Sequence, residues 1–433
     1  MNPPLWETRK DDLLEESFER IKHSSGLEIQ VLTKPGYSSC YALFSTKYGS
    51  IDTAITRQNG EVQILPEGTA HFLEHKLFES EDLDAFARFA QTGASANAFT
   101  SFEVTAYEFS CAEHFEENLE ILLDFVQSPY FTQATVEKEQ GIIGQEIRMY
   151  QDEPGWEVTF RLLRCLYDTH PVRIDIAGTE ESIAAITADL LHDCYRNFYD
   201  LNNMILTIAG NVTKETVLAA ADKLLKPASG KPAVRRSMCD QKPPAQVRTS
   251  RKMAVAVPRF ALGIKEPLAR DELSAKDKLV ASMALDILAG KSSALYESLL
   301  NDGLINAGFG SEYFCGHGYA CSMFEGESKR PEEAAARIEA AVLQAAKEGI
   351  GEEDFLLARK KYYGRVVMEF NDIESLAREM TESYFGGGDL FESAQILRSL
   401  TLDDMNTRLA AMFRADFAAL SLILPIETTE VTT

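Results

Sequence analysis

Ala70-His71-Phe72-Leu73-Glu74-His75-Lys76-Leu77-Phe78, written AHFLEHKLF, is the stretch from which the rest of the chain is read. The run reads as a helix, and on a helix positions i and i+4 stand one turn apart on a single face. His71 and His75 are so placed, and two imidazoles there reach one divalent cation. Glu74 borders the same face and suits a general base beside the metal rather than a ligand. The order is H-x-x-E-H, the reverse of H-E-x-x-H. Phe72, Leu73, Leu77 and Phe78 make the helix a buried one. Buried histidines and a buried carboxylate need partners, and a metal ion supplies them.

A catalytic zinc takes three protein ligands and keeps an open position, so a third ligand is sought downstream. Residues 136–154, VEKEQGIIGQEIRMYQDEP, read as a helix with Glu139 and Glu146 seven apart, nearly two turns, and therefore on one face. Ile142, Ile143 and Ile147 are expected to bury it. Alone, the two acids read better as solvated charges; the histidine motif upstream turns the reading toward a ligand.

Further from the motif, strands and helices follow in blocks. Strand-like runs at 26–33 and 40–49 precede the histidine helix. A helix at 82–93 leads into a long strand pattern, SANAFTSFEVTAYEFSCA, rich in aromatic and β-branched residues. Helices at about 114–128, 134–151, 156–168 and 181–198 come next, then the strand MILTIAGNV and a helix from Lys214. The second half repeats the rhythm: a strand at 253–265, helices near 273–289 and 293–300, strands FGSEYF and CSMFEGE, helices at 331–348 and 352–369, and a final strand ALSLILPI. The fold class expected is α+β, two similar domains, each a mostly antiparallel sheet with helices on one face. Residues 226–252, KPASGKPAVRRSMCDQKPPAQVRTSRK, read as a break. The expected organisation is a domain over 1–227, a linker over 228–252 and a second domain over 253–433.

Composition excludes several classes. Hydrophobic residues are 45% and charged residues 25%, ordinary for a globular chain of 433 residues, which at this length is expected to form two domains. The net charge of −24 repels nucleic acid and anionic membrane surfaces. The beginning of the chain carries no basic-then-apolar leader, and no run of about 18 apolar residues offers a membrane span. Seven scattered cysteines fit reduced thiols in a cytoplasmic protein. Cys315, His317 and Cys321 lie close together but lack a second ligand pair, so incidental thiols are the expectation there.

These motifs resemble the pitrilysin/insulinase family of metallopeptidases, the inverzincins. Members pair H-x-x-E-H with a glutamate about seventy to eighty residues on and another seven before it. The resemblance implies one zinc ion held by His71, His75 and Glu146, with Glu74 as catalytic base and Glu139 orienting a ligand from behind. It covers other segments of the first half. GASANAFTSFEVTAYEF (93–109) is similar to the family strand that accepts substrate as an added strand, which implies substrate contacts for Asn97, Ala98, Phe99 and Thr100. HPVRIDIAGTEESI (170–183) is similar to the family's His-Pro and Gly-Thr segment, with His170 structural rather than a ligand.

The chain is most similar to short bacterial members that work as pairs. Homodimeric and single-chain members carry an Arg and a Tyr in the second domain that contact substrate. Here the matching segment, SALYESLLNDGLINAGF (293–309), has Leu300 and Asn306 at those places. The resemblance thus implies a zinc peptidase acting on peptides or small unfolded polypeptides in a closed chamber. It would be the catalytic subunit of a heterodimer whose paralogous partner supplies the Arg and Tyr. The alternatives are a non-catalytic scaffold and a dedicated peptide or protein maturation factor on the same fold.

Overall fold

In the computed structural model, residues 6–56, 60–230 and 235–426 are described. Two sheets organise them. The first has seven strands in the spatial order Glu7–Asp11, Glu16–Lys22, Glu28–Thr33, Met204–Gly210, Cys40–Thr46, Thr105–Cys111 and Ser95–Thr100. Every pairing is antiparallel except that of Glu28–Thr33 with Met204–Gly210. The second has five strands in the order Arg248–Met253, Ala418–Pro425, Arg259–Lys265, Tyr319–Glu327 and Gly310–Gly316, again with a single parallel pair, Arg248–Met253 beside Ala418–Pro425.

The last five strands of the first sheet repeat the second strand for strand. In both, the first strand of the motif lies parallel to the last, followed by the second, fourth and third. The fold is α+β with two similar units, as the sequence implied, and the duplication is written in the topology. Central strands are buried over their whole length: Cys40–Thr46 and Met204–Gly210 are buried at every residue, as befits strands with neighbours on both sides. The edge strand Ser95–Thr100 alternates exposed and half-buried residues at its start.

The two compact units are not contiguous in sequence. One comprises residues 1–145, 175–235 and 365–392, the other 146–174, 236–364 and 393–433. Each sheet is packed by a helix from the other half of the chain. Helix Pro154–Leu166 lies against Ala418–Pro425 and Arg259–Lys265 of the second sheet, and Ile373–Phe385 lies against Met204–Gly210 and Cys40–Thr46 of the first. The second helix seals a core in which Leu376, Ala377 and Met380 meet Leu32, Leu43 and Ala209.

Several sequence expectations are corrected. The long strand pattern beginning at Ser95 is two strands, Ser95–Thr100 and Thr105–Cys111, joined by a turn in which Ser101 N–H donates to Val104 O at 2.8 Å. Strands Glu7–Asp11 and Glu16–Lys22 precede the first run identified, and helices Ile373–Phe385, Glu392–Ser399 and Leu402–Met412 intervene before the final strand. Ile142 does not bury its helix: it is 46% exposed, whereas Ile143 and Ile147 are buried. One residue is about 100° around a helix, and Ile142 falls outside the inward stripe. Within the expected linker, Arg248–Met253 is a strand, Gly230 N–H donates to Asp200 Oδ2 at 2.7 Å and Met238 N–H to Asp271 Oδ1 at 2.9 Å. Residues 231–234 of that segment lie outside the described residues.

Candidate metal centre

The histidine helix, Thr69–Leu77, starts at Gly68, whose φ of 84° favours glycine. A Cβ there would stand 2.3 Å from Ala177 O, and one on Gly178 2.5 Å from Glu67 O. The two backbones touch, and Ser182 Oγ donates to Glu67 O at 2.8 Å. The Gly-Thr segment thus buttresses the entry to the helix. Phe72, Leu73 and Leu77 are buried to 1% exposure or less. They fix the helix rotation and turn His71 and His75 to the opposite side, ring centroids 4.6 Å apart.

The long helix Gln133–Gln151 brings the third group. One potential ligand atom from each of His71, His75 and Glu146 lies within 4.8 Å of the others, and among the described residues this is the single such group. Glu146 and Glu139 share this one continuous helix, and Glu139 ties it to the histidine helix: His75 Nδ1 is 3.0 Å from Glu139 Oε1. A carboxylate acceptor puts the proton on Nδ1, so Nε2 carries the lone pair.

The donor set fits zinc. Two imidazoles and a carboxylate are zinc ligands, and tetrahedral bonds of about 2.0–2.1 Å put donors roughly 3.4 Å apart, within a small side-chain adjustment of the observed spacing. Burial pulls His71 down to about 3, helped by His75, so the ring is a neutral donor at ordinary pH. For Glu139, burial acts upward, but the His75 hydrogen bond and the charges of His75, Lys76 and Lys138 outweigh it and hold the carboxyl below its usual value.

Glu74 is 8% exposed, and Thr100 Oγ1 donates to its Oε2 at 2.6 Å. Thr100 closes the edge strand Ser95–Thr100. Of the residues expected at a substrate, Asn97 is exposed, Ala98 is half-buried, and Phe99 lies under the Arg378 guanidinium, 4.7 Å from its ring centroid. Thr100 is the one tied to Glu74. Sequence reasoning missed Lys76, which is fully buried and paired with Glu79. Its signal was a lysine next to Leu77 on a helix whose apolar residues mark it as buried.

His170 has both ring nitrogens engaged. Nε2 lies 2.9 Å from His317 O, and Val172 N–H donates to Nδ1 at 3.0 Å. The His317 ring faces Glu272 Oε1 and Arg236 O, each at 2.9 Å. Cys315, His317 and Cys321 form no metal group among the described residues. Leu300 is 42% exposed at the end of helix Ala294–Asn301. Asn306 donates to Glu327 Oε2 at 2.9 Å on the wall of a groove of about 640 Å³.

A doubled α+β unit bearing an H-x-x-E-H helix defines the pitrilysin-like class. The model of the insulinase family (peptidase family M16) matches residues 65–180, and that of the peptidase M16 inactive domain matches 185–362. The uncharacterized zinc protease YmfH of Bacillus subtilis (strain 168) is 41% identical over 418 residues, 95% of this chain and 97% of that one. The crystal structure of an M16-like peptidase from Alicyclobacillus acidocaldarius superposes with a TM-score of 0.88 at 36% identity, over 98% of this chain and 99% of that one. A protease from Helicobacter pylori shares the fold, with a TM-score of 0.82 at 19% identity over 95% of this chain and 100% of that one. The chain belongs to the insulinase family, peptidase family M16. Among the described residues, no helix is long and apolar enough to cross a membrane.

Proposed function

We propose that the chain is a zinc-dependent peptidase of extended or unfolded peptides, with His71, His75 and Glu146 as metal ligands and Glu74 as general base. The observation that carries this reading is the convergence of the three donors within 4.8 Å beside a buried glutamate anchored by Thr100. The zinc-protease name of the 41% identical relative supports it.

When bound, zinc supplies Lewis-acid polarisation of the scissile carbonyl and makes water acidic enough to lose a proton near neutral pH. Glu74 takes that proton and passes it to the leaving amine. Thr100 holds Oε2 and so sets the direction of Oε1. Glu139 fixes the His75 ring and its tautomer. The edge strand Ser95–Thr100 offers backbone groups to a peptide laid alongside it as an added strand.

A paralogous subunit completes the site by supplying an Arg and a Tyr, since Leu300 and Asn306 stand at their places in the second half. Loss of oxyanion donors costs about 10²–10³ in rate, so the chain alone is slow and the pair is fast. The match of residues 185–362 to an inactive domain fits this division of labour. The seven cysteines form no disulfides, which suits a reducing compartment such as the cytoplasm.

The test combines elemental analysis with peptide turnover, for the chain alone and with its paralogue. One zinc per chain, with turnover abolished in Glu74→Gln at unchanged zinc content, supports the reading. A metal-free protein, or full turnover in Glu74→Gln, refutes it. A protein that binds zinc and hydrolyses nothing with any paralogue is the scaffold alternative.

A further inference from the structure

A buried arginine from the segment between the two sequence halves reaches the turn that ends the edge strand. Arg235 donates from Nε to Asp52 Oδ1 at 2.8 Å and from Nη2 to Asp52 Oδ2 at 2.7 Å, a two-pronged pair with both side chains buried. The same guanidinium donates from Nη1 to Glu103 Oε2 at 3.2 Å and from Nη2 to Glu103 O at 2.5 Å. Asp52 also accepts from Gly49 N–H at 2.9 Å. One cation therefore ties the 49–52 loop to the 101–104 turn through both a side chain and a backbone carbonyl.

The two loops are also joined directly. Ser50 N–H donates to Ser101 O and Ile51 N–H to Phe102 O, each at 3.1 Å. At Gly49 a Cβ would lie 2.4 Å from Glu103 N, so only glycine permits this approach. The turn held this way immediately follows Thr100, the residue bonded to Glu74. Strand Ser95–Thr100 is the outermost strand of its sheet, with a neighbour on one side only.

We propose that Arg235 is a positioning residue for the peptide-accepting strand: by clamping the 49–52 loop to the 101–104 turn it holds Thr100 and the strand edge in register with Glu74. The proposal rests on the peptidase reading for its kinetic consequence and on geometry alone for its structural one. The planar fork of arginine meets Asp52 at two points and Glu103 at two more, a pattern that the single ammonium of lysine does not reproduce. Arg235→Lys keeps the charge and part of the packing, and so separates clamping from mere neutralisation of two acids.

The experiment compares the full wild-type chain with Arg235→Lys and Arg235→Met by amide hydrogen exchange, zinc content and kinetics with a quenched-fluorescent unstructured peptide, with the paralogous subunit present. Expected are exchange at Ser50, Ile51, Ser101 and Val104 accelerated about tenfold or more in Arg235→Met and less in Arg235→Lys. Zinc content is unchanged, and KM rises about tenfold with kcat falling less. Exchange accelerated uniformly through the sheet, or unchanged KM with unchanged local exchange, overturns the proposal. If the wild-type protein hydrolyses no peptide, the peptidase reading fails by itself. The exchange pattern of the 49–52 loop and the 101–104 turn then still decides whether Arg235 sets the strand.

Discussion

Thr100 Oγ1 lies 2.6 Å from Glu74 Oε2, so the last residue of the edge strand and the buried carboxylate of the histidine helix are joined by a hydrogen bond to a charged group. Such bonds are worth about 1.5–3 kcal/mol, and this one holds Oε2 of Glu74 at the end of the edge strand. Thr100→Val keeps the shape and removes the donor. The expected result is a fall in kcat of about tenfold or more at unchanged zinc content, since one bond of this size corresponds to that factor. Thr100→Ser retains most of the rate. Wild-type kcat in the valine variant would show that the bond does not orient the base.

Glu139 carries a separate prediction. Its Oε1 stands 3.0 Å from His75 Nδ1, and with His75 as the ligand proposed above, removing this acceptor weakens metal affinity by about 10–100-fold. Glu139→Gln is nearly isosteric but less basic. Competition against a chelator of known affinity reads the change. Glu146→Gln removes a donor itself and is expected to cost more than Glu139→Gln. The reverse order would exchange the two roles.

The clustering of His71, His75 and Glu146 was legible because it rests on local periodicity. The i, i+4 spacing of His71 and His75 and the seven-residue spacing of Glu139 and Glu146 are helix geometry, and a helix keeps those spacings wherever it packs. The bond from Thr100 to Glu74 was not legible, because it joins a strand to a helix through tertiary packing. The same distinction explains the missed helix Ile373–Phe385. Ile373, Leu376, Ala377 and Met380 follow the i, i+3, i+4, i+7 pattern behind the N-cap Asp372, so its existence could have been read. That it packs on the sheet of the first half could not. The strands Glu7–Asp11 and Glu16–Lys22 were hidden by composition: ETRKD and ESFERIK bury few apolar residues, Phe18 and Ile21 chief among them.

The second unit contains a pH-sensitive element. Burial pulls His170 down to about 4, against the Nε2 bond to His317 O, which acts upward. Asp240 also acts upward, while His317 and Lys265 act downward. In the unfolded chain an imidazole titrates near 6.5. The folded value is the lower one, so its contribution is fully present above about pH 6.5 and is lost as pH falls through about 4. The shift corresponds to roughly 3 kcal/mol at full protonation. Melting temperature is expected to fall across this window, with a shallower fall in His170→Gln. An identical pH profile in the variant would remove His170 as a source.

A buried ion pair in the same unit gives a stability prediction with a control. Arg408 donates from Nη1 to Glu266 Oε1 at 2.9 Å and from Nη2 to Glu266 Oε2 at 2.7 Å, and Tyr313 O–H donates to Glu266 Oε2 at 2.6 Å. Both charged residues are less than a tenth exposed. Arg408→Met leaves the Glu266 carboxylate buried without its cation, a loss of about 3–5 kcal/mol, whereas replacing both partners with apolar residues is often close to neutral. The single variant is expected to melt several degrees lower, and Arg408→Met with Glu266→Leu to recover most of the difference. Equal melting of wild type and the single variant would show that the pair is solvated in solution.

The reciprocal placement of helices Pro154–Leu166 and Ile373–Phe385 makes a prediction about fragments. Residues 1–227 contain all seven strands of the first sheet but lack Leu376, Ala377, Met380, Leu390 and Phe391, each at most 4% exposed in its core. Burying a large apolar side chain is worth about 1.5–3 kcal/mol. Four of these five are large, so together they contribute roughly as much as the entire net stability of about 5–15 kcal/mol of a typical domain. The fragment 1–227 is therefore expected to aggregate or remain molten when expressed alone, without a cooperative thermal transition. Co-expressed with 228–433, it is expected to co-purify as a folded pair, because the second fragment brings the missing helix and takes Pro154–Leu166 in return. A soluble 1–227 fragment with a sharp calorimetric transition would mean that helix Ile373–Phe385 covers the first sheet without being needed to fold it.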